Sequence, residues 1–159
     1  RLLRELRLEF DARTPARGLD VLAAASFARL RVLRAAYQRR GNRVIRALAG
    51  QPALSLEVLD LRGAGITDEG LIALAGCSAL VGLRTLHLQN NRFSRRGLAA
   101  LATSSVLAGV EVLDLRHNEI GAEGAAALAA SPHLGGVAAL HLHAGEIGAA
   151  IGASCGVVR

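Results

Sequence analysis

Polar residues that could take part in chemistry recur in this chain at a fixed interval. Asp60 is followed 54 residues later by Asp114, and His87 is followed at the same distance by His141. Another polar residue stands two positions after each of these four. Arg62 and Arg116 follow the aspartates, and Gln89 and His143 follow the histidines. Carboxylates and imidazoles can act in acid–base catalysis or bind metal ions. Because residues two apart on a β-strand share one face, the spacing predicts one polar surface.

The histidines are the first candidates for a metal site. His141 and His143 would point to the same face of one strand, and His87 would lie two strands away. Two imidazoles can bind a metal ion, but structural and catalytic sites need three or four ligands. The sequence places no third ligand convincingly beside this pair. We therefore predict no metal site and no cofactor.

Catalytic motifs of other kinds are also missing from the sequence. Ser104, Ser105 and Ser131 lack the glycine elbow that exposes a nucleophilic serine. The Gly-Ala-Gly sequence at residues 63–65 lacks the further glycine and the acidic partner of a dinucleotide site. We predict that the protein is not an enzyme.

The two strand aspartates have a simpler interpretation. Asp60 and Asp114 would lie two strands apart, roughly 10 Å, so they could not work as a close carboxylate pair. Each has an arginine two residues further along the chain. We interpret both aspartates as exposed, paired charges.

The elements that position these residues follow from an internal repeat. Apolar residues 26 or 27 positions apart begin the units, and leucines usually follow three and five residues later. A period of this length indicates a solenoid of stacked units. We predict a single domain over residues 1–159 with six repeats, the first two divergent, starting near residues 3, 30, 56, 83, 110 and 137.

Each repeat is expected to form a strand, a turn and a helix. Asn91 and Asn118 stand eight residues after their starts, where a side-chain amide can satisfy backbone groups of a turn. Thr67 and Ser94 then precede helical segments and are good N-cap types. The predicted fold class is α/β: a curved solenoid with a parallel sheet on its concave face.

At this point the residues resemble a known family. Residues 83–93, Leu-Arg-Thr-Leu-His-Leu-Gln-Asn-Asn-Arg-Phe, with Gly97 and Leu101 after them, resemble the leucine-rich repeat of the ribonuclease-inhibitor type. The Ser-Pro-His-Leu join at residues 131–134 is similar to leucine-rich tracts of bacterial proteins. The resemblance extends over residues 54–147. It implies a horseshoe fold that binds a protein partner through its concave strands, without identifying that partner.

The strand positions that face solvent supply the predicted partner-binding residues. Arginines are frequent anchors in protein interfaces, so Arg62 and Arg116 are the leading candidates. The full predicted concave surface comprises Arg34, Tyr37, Asp60, Arg62, His87, Gln89, Asp114, Arg116, His141 and His143.

Two alternatives to protein binding follow from other features. The chain could be a structural spacer within a larger multidomain protein, since neither end shows the polar cap that a terminal repeat needs. Residues 1–55 could instead bind nucleic acid, because they contain 12 arginines against 4 acidic residues, with Tyr37 able to stack on a base. We consider nucleic-acid binding the less favoured of the two.

The cysteines and the hydropathy indicate the compartment in which the protein works. Cys77 and Cys155 are far apart and match neither a disulfide framework nor a metal motif. We predict that both are buried and that the protein works in a reducing compartment, the cytoplasm. No apolar run approaches the roughly 20 residues of a membrane span. We also expect the chain, which starts at Arg1, to be a segment of a longer protein.

Overall fold

The part of the chain that the structure describes contains six short strands and four helices. The structure is a computed structural model that describes residues 3–8, 29–51 and 54–143. Within these residues the strands are β1 (Glu5–Arg7), β2 (Val32–Arg34), β3 (Val58–Asp60), β4 (Thr85–His87), β5 (Val112–Asp114) and β6 (Ala139–His141). The helices are α1 (Gly41–Ala49), α2 (Asp68–Ala75), α3 (Arg95–Ala102) and α4 (Gly121–Ala129). Short 3₁₀ turns cover Ser78–Leu80, Ser105–Gly109 and Leu134–Gly136.

The strands form one parallel sheet in chain order, β1 to β6, and the helices pack side by side in the same order. Each leucine three residues after a predicted repeat start pairs with its counterpart in the next strand: Leu6, Leu33, Leu59, Leu86, Leu113 and Leu140. The predicted α/β solenoid is confirmed. The one interval of 26 residues, between starts 30 and 56, does not shift the strand register.

The hydrophobic core lies between the sheet and the helices. Leu59 and Leu61 point inward from β3 and the residue after it, and both are fully buried. Leu71 and Leu74 face them from α2 and are also fully buried. Equivalent leucines repeat this contact in the next unit, and in the unit after it Ala125 replaces one of the helix leucines, so the core is continuous. Small residues, mainly alanine and glycine, occupy the rest of the helices, so neighbouring helices pack closely.

A glycine near each of three helix starts leaves room for the neighbouring element, and at Gly97 it allows one helix to cap the next. Gly97 in α3 is buried, and a Cβ added there would stand 2.7 Å from the carboxylate of Asp68 in α2. That carboxylate accepts hydrogen bonds from the backbone N–H groups of Ser94 (2.7 Å) and Gly97 (3.0 Å). Gly70 and Gly124 occupy the same place in α2 and α4. In α1 this position is the buried Val44.

The two predicted N-cap residues behave differently. Ser94 caps α3, since its hydroxyl accepts a hydrogen bond from the backbone N–H of Arg96 at 3.2 Å. Thr67 stands at the N-cap position of α2, but its hydroxyl makes no capping bond to that helix. It donates to the Glu69 carboxylate at 2.5 Å and accepts from the Asn42 amide at 2.8 Å. The sequence thus predicted both helix starts correctly, but only one of the two capping bonds.

In four successive units, the third residue after the strand has a left-handed backbone conformation. Gly63 has φ 57°, and Tyr37, Asn90 and His117 have φ 58° or 59° at the equivalent position. This conformation suits glycine and asparagine but is disfavoured for other residues. The sequence did not reveal it, because only two of the four residues are of the expected types.

The structure shows the burial of one cysteine and the character of the described helices. Cys77 is buried, as predicted, whereas Cys155 lies outside the described residues. Within the described ranges, no helix has the length and apolar character required to cross a membrane.

Candidate functional site

The outward face of strands β3 to β6 presents a double row of polar side chains. We call this set the polar strip: Asp60, Arg62, His87, Gln89, Asp114, Arg116, His141 and His143. The strand register places Asp60, His87, Asp114 and His141 side by side. The remaining four follow two residues later on the same side of the chain. The strip contains eight of the ten residues that the sequence predicted for a binding surface, and a ninth, Arg34 of β2, is paired in register with Asp60.

Asp60 and Arg62 form a two-pronged ion pair in the strip. Nε and Nη2 of Arg62 donate to the two carboxylate oxygens of Asp60 at 2.9 and 2.7 Å. The backbone N–H of Arg62 donates to the same carboxylate at 3.3 Å. A bidentate arginine–carboxylate pair of this kind fixes both side chains.

Asp114 and Arg116 repeat this pair two strands away. Nε and Nη2 of Arg116 donate to the Asp114 carboxylate at 3.0 and 2.6 Å, and the backbone N–H of Arg116 does so at 3.2 Å. The distances match those of the first pair within 0.1 Å. The repeat thus reproduces a side-chain geometry as well as a backbone.

The burial of the aspartates corrects one interpretation of the sequence. Asp60 is 1% exposed and Asp114 is 3% exposed, so they are paired, as predicted, but they are not exposed. Strand-face residues were expected to be open to solvent. Each carboxylate is instead covered by its own arginine and by neighbouring strands, because side chains on adjacent strands stand only about 4.8 Å apart.

The arginines keep these buried carboxylates ionised. Burial by itself would raise the pKa of Asp60, but the hydrogen bonds and positive charge of Arg62 bring that pKa below its ordinary value. The pKa of Asp114 is lowered by Arg116 in the same way, against the opposing effect of burial. In turn, the hydrogen bonds to the aspartates raise the pKa values of Arg62 and Arg116. Both pairs are therefore fully charged at neutral pH.

His87 and Gln89 lie on β4 and the residues just after it, between the two ion pairs. Burial lowers the pKa of the His87 imidazole, and the negative charges of Asp60 and Asp114 only partly oppose this effect. The ring is therefore neutral at pH 7. Gln89 is 8% exposed. Neither Nδ1 of His87 nor Oε1 of Gln89 has a hydrogen-bond partner among the residues that the structure describes.

The two predicted residues outside the strip, Arg34 and Tyr37, lie at its border, and a new contact is made at its far end. Arg34 of β2 reaches the Glu5 carboxylate at 3.0 Å and the Asp60 carboxylate at 3.7 Å, so it joins β1, β2 and β3. Tyr37 is 67% exposed in the turn after β2, where its ring covers Gly63. His143 stacks at an angle on His117, with ring centroids 5.4 Å apart. His117 is therefore an addition to the predicted surface.

A second row of ion pairs runs along the edge where the strands begin. Arg31 approaches Glu57 at 3.4 Å, and Arg84 contacts Glu111 across the next pair of strands. All four side chains are at least 38% exposed. These pairs present both charges to solvent, unlike the pairs of the polar strip.

Two observations on the described surface concern metal ligands and free bases. No group of three or more potential metal ligands occurs in residues 3–8, 29–51 and 54–143. The two aspartates are locked to arginines, which removes them as free bases. The arrangement is suited to recognition, because half-exposed arginines and neutral polar groups stand on a rigid sheet.

The fold and this surface define a repeat solenoid with a polar sheet face. The leucine-rich repeat family matches the chain at residues 54–75, 83–102 and 110–129. Three units of this chain are therefore leucine-rich repeats, a class of repeat whose proteins are typically non-catalytic and interact with proteins. No curated protein matches the chain. The ribonuclease-inhibitor type and a bacterial origin stay predictions.

Proposed function

We propose that this protein is a non-catalytic interaction module and that it binds a protein partner through the polar strip. The observation that supports this proposal is the pair of ordered arginines, Arg62 and Arg116, held on the open face of the sheet. Their side chains are 38% and 46% exposed, while the aspartates that hold them are buried. Arginine is enriched in interface hot spots, and a fixed arginine loses less entropy on binding.

The remaining expectations from the sequence belong to the same proposal. We propose that the strip lies on the concave side of a horseshoe, with residues 1–159 forming one domain of a longer protein. We also propose a cytoplasmic location, to which the buried Cys77 is well suited. A leucine-rich solenoid of the ribonuclease-inhibitor type remains our assignment within the family.

The structure dictates how the surface should be altered to test the proposal. Changing Arg62 or Arg116 alone would leave a buried carboxylate without its partner, which destabilises a protein strongly. The strip variant therefore replaces both members of each pair: Asp60→Asn, Arg62→Gln, Asp114→Asn and Arg116→Gln. An asparagine oxygen can still accept the backbone hydrogen bond, and the net charge does not change.

A matched control exists on the helix side of the molecule. Arg95 of α3 forms an exposed ion pair with Glu123 of α4. The control variant Arg95→Gln with Glu123→Gln also removes an ion pair without changing the net charge. Any loss of binding that is specific to the strip variant then reports on the sheet face.

The experiment is an affinity capture from host lysate with the wild type, the strip variant and the control as baits, followed by mass spectrometry. We expect a protein that the wild type and the control retain and the strip variant loses. Capture that is equal for all three baits would reject the polar strip as the binding surface. If no specific protein is captured, the spacer role is favoured instead.

A further inference from the structure

The two ion pairs of the polar strip are oriented with one sign of charge outward. The Asp60 side chain is 1% exposed, but the Arg62 side chain is 38% exposed. The Asp114 and Arg116 side chains are 4% and 46% exposed. A partner that approaches this face therefore meets guanidinium groups, although each pair is neutral as a whole.

Each guanidinium still has hydrogen-bond donors to offer. The bonds to the aspartates use Nε and Nη2 of Arg62 and of Arg116. Among the described residues, Nη1 of neither arginine has an acceptor. A guanidinium has five N–H donors in a fixed planar arrangement that matches carboxylate oxygens. Because the aspartates hold both groups in place, little side-chain entropy is lost when a ligand binds.

The floor between the two arginines is polar and uncharged. Gln89 lies between Arg62 and Arg116 on the neighbouring strand, and His87 occupies the same place between Asp60 and Asp114. The lowered pKa of His87 keeps its ring neutral at pH 7. Among the residues that the structure describes, no exposed carboxylate lies between the arginines to repel a negatively charged ligand.

We propose that the polar strip recognises an acidic protein segment, with one carboxylate bound by Arg62 and a second bound by Arg116. This proposal rests on the protein-binding function proposed above. The strip is less suited to single-stranded nucleic acid, because none of its eight residues is Phe, Tyr or Trp and its three aromatic rings are the smaller ones of histidine.

The spacing of the arginines restricts the shape of that segment. Two strand steps separate Arg62 from Arg116 by roughly 10 Å. In a polyproline II helix, residues three apart point to the same side and stand about 9.3 Å from each other. In a β-strand, residues on one side are about 6.6 or 13 Å apart. We therefore infer that the bound segment is extended, of polyproline II form, with two carboxylates three residues apart.

The test uses labelled peptides of this geometry and fluorescence anisotropy at low salt. The probe is a capped proline-rich peptide with two glutamates three residues apart. One control peptide has glutamines in their place, and another has the glutamates two residues apart. We expect the wild type to bind the probe at least about tenfold more tightly than either control peptide. The shifted peptide loses one well-placed charged contact, and the glutamine peptide loses both.

Two protein variants locate the binding. The strip variant should lose this preference. The variant Arg84→Gln with Glu111→Gln, which removes an ion pair from the edge row of the same sheet, should retain it. A third variant, Gln89→Glu, places a carboxylate between the two arginines and should compete with the peptide while the fold, checked by circular dichroism, is kept.

The outcomes distinguish this proposal from the one on which it rests. Equal binding of the glutamate and glutamine peptides, or binding that the strip variant retains, would overturn the acidic segment. Tight binding of single-stranded oligouridylate in place of the peptide would overturn it too. If the strip variant loses a captured partner but the wild type ignores the acidic probe, protein binding stands and only the assigned chemistry fails.

Discussion

The turns that follow β4 and β5 differ from the turn that follows β3, although all three connect equivalent strands to equivalent helices. After β4, the buried Asn91 organises the turn. Its amide donates to the backbone carbonyls of Leu61 (2.9 Å) and Leu88 (2.7 Å), and its oxygen accepts from the N–H of Ile66 (2.9 Å). Asn118 repeats the arrangement one unit later, and its oxygen accepts from the N–H of Asn91. The predicted role of these amides is confirmed.

The turn after β3 has Ala64 where the asparagine would stand. Backbone groups replace the amide there: the carbonyl of Ala64 accepts from the N–H of Gly41 at 2.8 Å, and its N–H donates to the carbonyl of Leu61 at 3.3 Å. Two glycines, Gly63 and Gly65, take positive φ values of 57° and 72°. The tighter backbone of this turn therefore compensates for the missing asparagine.

The comparison shows that the turn chemistry does not set the strand register. Asp60 precedes the turn built by Ala64, and Asp114 precedes the turn built by Asn118, yet their ion pairs agree within 0.1 Å. The buried leucine columns are common to both regions. Packing of the leucines therefore holds the strands, and the turns satisfy local backbone groups.

The largest effect is expected when the asparagine turn is removed. Asn91→Ala would leave the N–H of Ile66 without a partner, which costs about 1–3 kcal/mol when buried, and would remove one of two hydrogen bonds from each of the Leu61 and Leu88 carbonyls. We expect the free energy of unfolding to fall by about 3 kcal/mol in urea denaturation. Asn118→Ala serves as the comparison and should cost less, because Asn118 is only half-buried and water can reach its partners. A loss below about 1 kcal/mol for Asn91→Ala would contradict the role of the amide.

A smaller loss is expected when the missing asparagine is restored. Ala64 is fully buried, and its Cβ lies close to Gly41 of α1. Ala64→Asn should therefore destabilise the protein by about 2 kcal/mol through overpacking. Thermal unfolding of the variant beside the wild type would show this. A variant more stable than the wild type would show that the turn after β3 accepts an asparagine, so that the two kinds of turn would differ only in one side chain.

Acid should affect the two regions alike. The folded-state pKa values of Asp60 and Asp114 lie below the unfolded value of about 3.9. Their pairs therefore contribute stability above about pH 4, and that contribution is lost as the pH falls through the folded pKa values. The stability difference between the wild type and the strip variant should narrow below pH 4. Carboxyl NMR titrations should give both aspartates similar, lowered pKa values, and clearly different values would show that the turns influence the strip.

The smallest effect is expected at the left-handed residue that both regions share. Gly63 fills this position after β3, and Asn90 fills it after β4 with an exposed side chain. Asn90→Gly should change the free energy of unfolding by less than about 1 kcal/mol, since asparagine and glycine both tolerate this conformation. Chemical denaturation would measure the change, and a larger loss would assign the Asn90 side chain a structural role.

Much of the architecture could be predicted from the sequence, because it depends on period. The leucines recur at fixed offsets, so their burial in one continuous core followed directly, and the strand register confirmed it. The amide of Asn91 was equally readable, since its type and position repeat at Asn118. For the same reason eight of the ten predicted surface residues fall together on the polar strip.

The tertiary structure alone decided which polar residues are buried and which way each ion pair points. Asp60 and Arg62 stand two apart on one face, and nothing in that spacing says that the carboxylate would be covered and the guanidinium left open. The same holds for the left-handed residue at His117 and for the contact of its ring with His143. Periodicity fixes which face a side chain occupies. Its exposure depends on the length and packing of neighbours on adjacent strands, which lie about 27 residues away in the chain.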